Sequence, residues 1–554
     1  IKIFDPACGS GNFLIIAYKE LRRLEMEIFK EMGSLALSEI SLNQFYGIEL
    51  DDFAHEIAIL ALWLTKHQMN VEFFKEFGRT SPTLPLTDAG NIVQGNACRL
   101  DWEEVCPKNE NDEVYILGNP PYAGQKKQTT EQKEELKFIF NHLSSYKTLD
   151  YISIWFYLAS NYCKRSHSSF AFVSTNSIVQ ANHVSLLWNH IFEKGLTIHF
   201  AYRDFRWGNS AVNNAGVVCV IVGLTPEIKS EKKIFTENAV ITTKYINAYL
   251  QDRRNIVVLK RSYPLSIVPK MVSGNMALDG GHLLINTIQE KKSIKESDYR
   301  AEKFIRETTG GREYLNGIER WCLWIEDEDL NEALEIPLIA KKIQGCKYFR
   351  TGGGDVAQSL ANRTHQFRYR HIANNSQLII PQTTSENRKY LPIGFVDKNI
   401  VIQQSAQVIY DSELFIFSVI CSKMHMLWLN SIGGKQGTST RYSPLITYNT
   451  FPFPNISNQR KEELTQCTLR IIDERLKYSE KTLAQLYDSD KMPEGLKEAH
   501  RQNDLAVERC YRSTPFNSDE ESLEYLFKLY EKMIQEEKDK DTLFAKQKKT
   551  RKRK

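Results

Sequence analysis

The sequence predicts an α/β fold: a mostly parallel sheet whose strands alternate with helices, followed by a mixed α+β region and a helical end. Three observations carry that prediction. Ile1-Lys2-Ile3-Phe4 reads as a short buried strand that runs into the glycine-bearing turn Asp5–Gly11 and then a long helical pattern. Gln44–Leu50 is a second strand, ending in the acidic Glu49. Val114–Leu117 is a third apolar run, and it stops at Gly118-Asn119-Pro120-Pro121-Tyr122. Strands that alternate with helices through Gly124 place ligands at the carboxyl ends of the strands.

Strand, glycine turn, helix is a nucleotide-binding arrangement, because glycines let a ligand approach the backbone and the helix N-terminus faces it. Leu14 stands where the third glycine of a dinucleotide fingerprint would be, and no P-loop lysine follows. Neither NAD nor ATP is therefore the expected ligand. After the turn, Asn12 to about Met32 carries apolar residues at helical spacing, and Asp52 to Met69 has the pattern of a second helix. A carboxylate at the tip of the second strand is acceptor-only and can hold both hydroxyls of a ribose, which gives Glu49 its role.

Each proline of Asn119-Pro120-Pro121-Tyr122 fixes φ, lacks an N–H and restricts its predecessor, so the strand ends abruptly. The Asn119 side-chain oxygen and the Pro120 carbonyl are then two adjacent acceptors, suited to an amino group with two hydrogens to give. Tyr122 supplies a ring that can stack on a flat heterocycle.

Asp5-Pro6-Ala7-Cys8-Gly9-Ser10-Gly11-Asn12-Phe13-Leu14 together with Gly118–Tyr122 resembles the S-adenosylmethionine-dependent amino-methyltransferases of DNA. The stretches FAFVSTNSIVQ, EYLNGIERWCLWI, RYSPLITYNTFPFP and MPEGLKEAH are similar to single-chain restriction-modification enzymes of type IIG or type IIL. The resemblance covers the chain from Ile1 to about Phe527. It implies a class I methyltransferase (Rossmann-like) sheet, S-adenosylmethionine as cofactor and no metal. It implies cofactor contacts from Asp5, Pro6, Ala7, Cys8, Gly9, Gly11, Phe13, Glu49, Leu50, Asn96, Ala97 and Asn119, with Leu50 packed on adenine. Many methyltransferases have Asp where Asn96 stands, reading the adenine amino group; Asn also offers an acceptor. It further implies that Asn119, Pro120, Pro121 and Tyr122 are catalytic, and that asparagine first favours adenine N6 over cytosine N4. An aromatic before the last strand helps hold the extruded base; Phe205 and Trp207 both qualify, with Trp207 nearer the strand. Cys106 precedes a proline rather than following one, so cytosine-C5 chemistry is not supported.

At 554 residues the chain exceeds one core and should hold about three to four units. The expected division is residues 1–262 for the methyltransferase domain, 263–454 for DNA target recognition, 455–545 for a helical C-terminal subdomain and 546–554 for a basic disordered tail. Ten scattered cysteines without a C-x-x-C pair argue against disulfides and zinc. No apolar run spans a bilayer and no leader opens the chain, so a cytoplasmic protein free of the membrane is expected; a monomer is the expected assembly. The net charge of +4 is small and is more than covered by the basic run after Phe544. Because the chain opens without Met, directly on its first strand, we expect an N-terminal part of the cofactor pocket to be missing. No convincing D…E-x-K nuclease site is found, so endonuclease activity is not expected of these residues.

In the recognition region basic residues are interleaved with aromatics, as base-edge and phosphate contacts require. The loops Ser385–Tyr390 and Thr438–Tyr442 are the candidates for contact with double-stranded DNA, through Arg388, Lys389, Arg441 and Tyr442; Arg320–Trp324 reads as core. Two other readings stay open. One is methylation of amino groups in RNA or protein, against which stands the long segment after the motif. The other is a non-catalytic DNA-binding subunit, against which stand intact Asp5, Gly9, Gly11, Asn119 and Tyr122.

Overall fold

A computed structural model describes residues 1–33, 37–79, 90–206, 218–226, 231–436 and 439–551. They form two compact units, Ile1–Leu259 and Lys260–Lys554. In the first unit the elements are β1 (Lys2–Asp5), α1 (Asn12–Met32), β2 (Phe45–Glu49), α2 (Asp52–Phe77), β3 (Asn91–Gln94), α3 (Trp102–Val105) and β4 (Val114–Gly118). They continue with α4 (Thr130–Phe140), α5 (Ser153–Tyr162), β5 (Ser169–Thr175), β6 (Thr197–Arg206), β7 (Val218–Thr225), β8 (Lys232–Phe235) and β9 (Val240–Thr243).

Nine strands make one sheet in the order β3-β2-β1-β4-β5-β7-β6-β8-β9. The first five are mutually parallel, as helical crossovers require. The β6–β7 hairpin then enters antiparallel to β5, with register shifts after Ile198 and Tyr202. The α1 helix buries Leu14, Tyr18, Arg22 and Met26 at four-residue spacing, one stripe against the sheet. The buried Arg22 guanidinium is matched by the Tyr18 hydroxyl at 2.8 Å and the Asn70 carbonyl at 3.2 Å. Helix α2 starts on the Asp51 cap and extends eight residues past Met69 to Phe77, because Phe73 continues its buried face.

The second unit has two four-stranded sheets and a small three-stranded one. Trp321, Cys322, Leu323 and Trp324 lie in its core, as their apolar run suggests. Its helical end comprises Asn458–Leu476, Leu483–Leu486, Glu494–Tyr511 and Asp519–Arg551. The last helix therefore runs into residues that the charge pattern marked as a disordered tail. Among the described residues no single helix is long and apolar enough to cross a membrane.

Candidate active site

The carboxyl ends of β3, β2, β1 and β4 are neighbours, and they carry Asn96, Glu49, Asp5 and Asn119 in that order. Parallel strands bring all four tips to one edge of the sheet. The turn after β1 is held there by the Cys8 N–H on the Ile48 carbonyl at 3.0 Å and the Trp155 indole N–H on the Pro6 carbonyl at 3.2 Å. Gly11 caps α1 with φ +84°, and a Cβ there would press on Ala58 Cα and Cβ at 3.3 Å. Only glycine allows that turn and that helix approach together.

Glu49 accepts the Gly9 N–H at 2.7 Å on one oxygen and the Asp51 N–H at 2.9 Å on the other. Each oxygen keeps a second lone pair for a ligand. Asp5 is buried, and its carboxyl is pushed up to about 7 by desolvation, opposed by the Ala7 N–H at 3.0 Å and reinforced by the nearby Glu49 charge. A Cβ on Gly118 would fall 2.5 Å from Asp5 Oδ1, so the glycine ending β4 makes room for the acid ending β1. Pro6, Cys8 and Ala97 are buried, Ala7 and Phe13 half-buried, and Leu50 is 67% exposed beside the turn. Asn96 directs Oδ1 to the Cys98 N–H at 2.9 Å and Nδ2 to Glu135.

At the tip of β4, Asn119 Oδ1 is buried and has no hydrogen-bond partner among the described residues. A buried acceptor without a donor is costly unless a ligand completes it. Pro120 is buried, Pro121 exposed, and Tyr122 is 37% exposed. The Tyr122 hydroxyl is raised by partial burial and then by the neighbouring Cys219 and Asp150. Phe205 pairs with Cys219 across the hairpin and packs edge-on to Tyr202 at 5.3 Å, and Cys219 is the group on that strand whose charge reaches Tyr122. Trp207 lies outside the described residues.

The residue after Tyr122 is clamped on both sides of its peptide. The Ala123 N–H donates to Asp150 Oδ1 at 2.9 Å, and its carbonyl accepts from the Tyr151 N–H at 3.1 Å and Gln128 Nε2 at 2.9 Å. The Ser177 hydroxyl takes the other Asp150 oxygen at 3.3 Å, and the Asp150 N–H donates to His183 Nε2 at 2.9 Å. Desolvation lowers the pKa of the half-buried His183, which suits that acceptor role. The sequence reading missed Asp150, Gln128, His183 and Glu135. No motif marks them; Asp150 merely closes the polar stretch that begins at Gly124.

In the second unit, Thr383–Thr384 pairs with Ser439–Arg441, which brings the two candidate DNA loops together; Thr438 of the second loop lies outside the described residues. Lys389 and Arg441 are exposed. Arg388 is half-buried and faces Asp488 in a depression also lined by Ser385 and Asp490. Tyr442 departs from the expectation of a DNA contact: it is 1% exposed and its hydroxyl bonds His425 Nε2 at 2.8 Å. Alternation along the strand turns Arg441 outward and Tyr442 into the core.

Comparison with known proteins matches three successive segments of the chain. Residues 1–236 match the family model of the MmeI DNA-methyltransferase domain, 252–455 that of the MmeI target recognition domain and 456–536 that of the MmeI C-terminal domain. The solved structure of the type IIL restriction-modification enzyme MmeI in complex with DNA is 36% identical and superposes with a TM-score of 0.89, covering 97% of this chain and 73% of that one. The chain belongs to the MmeI family. DNA methyltransferase A of Bacillus subtilis (strain 168) is 43% identical over 543 residues, 97% of this chain. The chain spans 62% of that relative's length. The type II restriction enzyme and methyltransferase RM.Eco57I of Escherichia coli is 26% identical over 175 residues, 27% of this chain and 17% of its own. The MmeI-family methyltransferase domain thus coincides with the sheet whose edge carries Asp5, Glu49, Asn96 and Asn119.

Proposed function

We propose that the protein is a site-specific DNA methyltransferase that transfers a methyl group from S-adenosylmethionine to N6 of an adenine rotated out of the duplex, within a restriction-modification system. The observation that carries this reading is the orphaned, buried Asn119 Oδ1 at the tip of β4, two strands from Glu49 in the same sheet edge. The residues fit a nucleoside-bearing donor. Glu49 keeps free lone pairs for ribose hydroxyls, Asn96 offers an acceptor for adenine, and a Cβ at Gly9 would meet nothing within 4 Å, so the turn borders open space. Leu50 and Phe13 offer apolar surface, and the Asp5 carboxylate offers a charge for the donor's cationic part.

S-adenosylmethionine, when bound, supplies an electrophilic methyl on a sulfonium. The chain must do the rest by binding and orientation. Unstacking one base costs a few kcal/mol. Tyr122 offsets part of that cost by stacking, with Phe205 or Trp207 on the far side. Asn119 Oδ1 and the Pro120 carbonyl accept the two amino hydrogens, which draws the N6 lone pair out of conjugation and aims it. Positioning and preorganised acceptors of this kind account for the rate without covalent help from the protein.

The match to a target recognition domain, and the exposed Lys389 and Arg441 on adjoining loops, support duplex DNA as the substrate. The test is Asn119→Ala. Transfer of labelled methyl to mixed-sequence duplex DNA should fall by about 10³-fold, the scale of losing one preorganised polar group, while S-adenosylhomocysteine binding stays within about twofold. Near-normal transfer by that variant would refute the assignment.

A further inference from the structure

Glu135 lies outside every motif of the sequence, yet it is only 7% exposed and reaches the strand-end edge of the sheet through Asn96. It sits in α4, after the loop that follows the catalytic tip. One carboxylate oxygen accepts from Asn96 Nδ2, the other from the Tyr151 hydroxyl. Burial and the neighbouring Cys98 and Glu135 raise the Tyr151 phenol far above its usual range, so it stays a donor. A carboxylate that is acceptor-only dictates which end of the Asn96 amide it meets. The NH2 end turns to Glu135, and Oδ1 turns to the Cys98 N–H at 2.9 Å with a lone pair to spare.

We propose that Glu135 is a positioning residue that fixes the Asn96 amide so that residue 96 presents an acceptor to the adenine amino group of the methyl donor. The inference rests on the cofactor reading above and goes beyond it, because it also explains why residue 96 is an amide. An aspartate there would set two carboxylates face to face in a poorly hydrated site, and one would have to take up a proton. The acceptor at 96 and the acid at 135 are therefore exchangeable only as a pair.

The experiment titrates S-adenosylhomocysteine and S-inosylhomocysteine, whose ring carries a carbonyl in place of the amino group, into the wild type, Asn96→Asp, Glu135→Gln and the double variant, each checked for folding by thermal melting. The wild type should prefer the adenosyl compound. Asn96→Asp should lose about tenfold or more in affinity for it, the effect of a like-charge neighbour on one titrating group. In the double variant the amide introduced at position 135 donates to the carboxylate introduced at position 96. Its affinity should recover to within about threefold of wild type, with the adenosyl preference restored, because one donor again faces one acceptor. A residue that only supports the fold would not restore ring discrimination.

Wild-type affinity in folded Asn96→Asp, or a folded double variant no better than Asn96→Asp, would overturn the proposal. Should Asn96→Asp fail to fold, the double variant against Glu135→Gln decides: Glu135→Gln leaves an amide facing an amide and should lose adenosyl preference, so a stronger preference in the double variant supports the pairing, and a preference no stronger than that of Glu135→Gln overturns it. If the wild type binds neither compound, the cofactor reading itself falls.

Discussion

The protonation of Asp5 links the stability of the fold to the proposed binding of a cationic cofactor. The folded-state pKa of Asp5, about 7, lies above the usual 3.8, so between these values the folded protein holds a proton that the unfolded chain has released. Stability should therefore fall as pH rises from about 4 to about 7 and level off above. Asp504, likewise pushed up to about 7 by burial, shares that slope, so Asp5→Asn should remove only part of it in thermal melts across this range. Binding has the opposite sign. A cationic ligand needs the ionised carboxylate, so S-adenosylmethionine affinity should rise through pH 7, and Asp5→Asn should flatten the profile in calorimetric titrations.

Gly118 gives a steric counterpart. A Cβ 2.5 Å from Asp5 Oδ1 forces one strand tip to shift, so Gly118→Ala should destabilise by about 1–3 kcal/mol in denaturant titrations and weaken cofactor binding with it. At this scale the placement of Asp5, Glu49 and Asn119 at strand ends was legible, because residue type and the end of each apolar run mark it locally. Glu135 and Asp150 were not: each reaches its partner, Asn96 or Ala123, across 39 or 27 residues, and no local pattern records such a contact. Tyr442 misled because a basic–aromatic pair on a strand looks like a recognition surface whichever face the ring takes.

Among elements, the strand–helix alternation to β5 was read correctly because apolar period and glycine turns agree locally. Helix α2 was cut short at Met69, where Asn70 interrupts the apolar run; Arg22 satisfies that buried amide and the helix continues. The clamp on Ala123 is an element-scale device, joining the end of the Asn119–Tyr122 motif to the start of α5 and to the segment after β5. Asp150→Ala should free the Ala123 N–H and let Tyr122 drift. We expect kcat to fall by about 10²-fold with cofactor affinity unchanged, measured by single-turnover methylation alongside calorimetry. Equal losses in both would mean that the clamp supports the whole sheet edge rather than the tip.

For the whole molecule, the family models and the two compact units describe a methyltransferase domain followed by target-recognition and C-terminal domains. Within the second unit the candidate loop 385–390 is tied to the helical end. Tyr390 stacks on His500 at 4.1 Å and donates to Asp504 at 2.8 Å, while Ser489 holds the Asn387 carbonyl. These contacts fasten the loop to the C-terminal helices within one unit. Lys389 remains exposed, and if it holds a phosphate, Lys389→Ala should weaken DNA binding across sequences and reduce the salt dependence by about one ion.

The central claim is that the acceptors at the tip of β4 grip the amino group of an extruded adenine. Duplex DNA incubated with the protein and methyl-deuterated S-adenosylmethionine, then digested to nucleosides and resolved by mass spectrometry, addresses it directly. Label in N6-methyldeoxyadenosine alone is the predicted result; label in N4-methyldeoxycytidine, or none in any base, would contradict it.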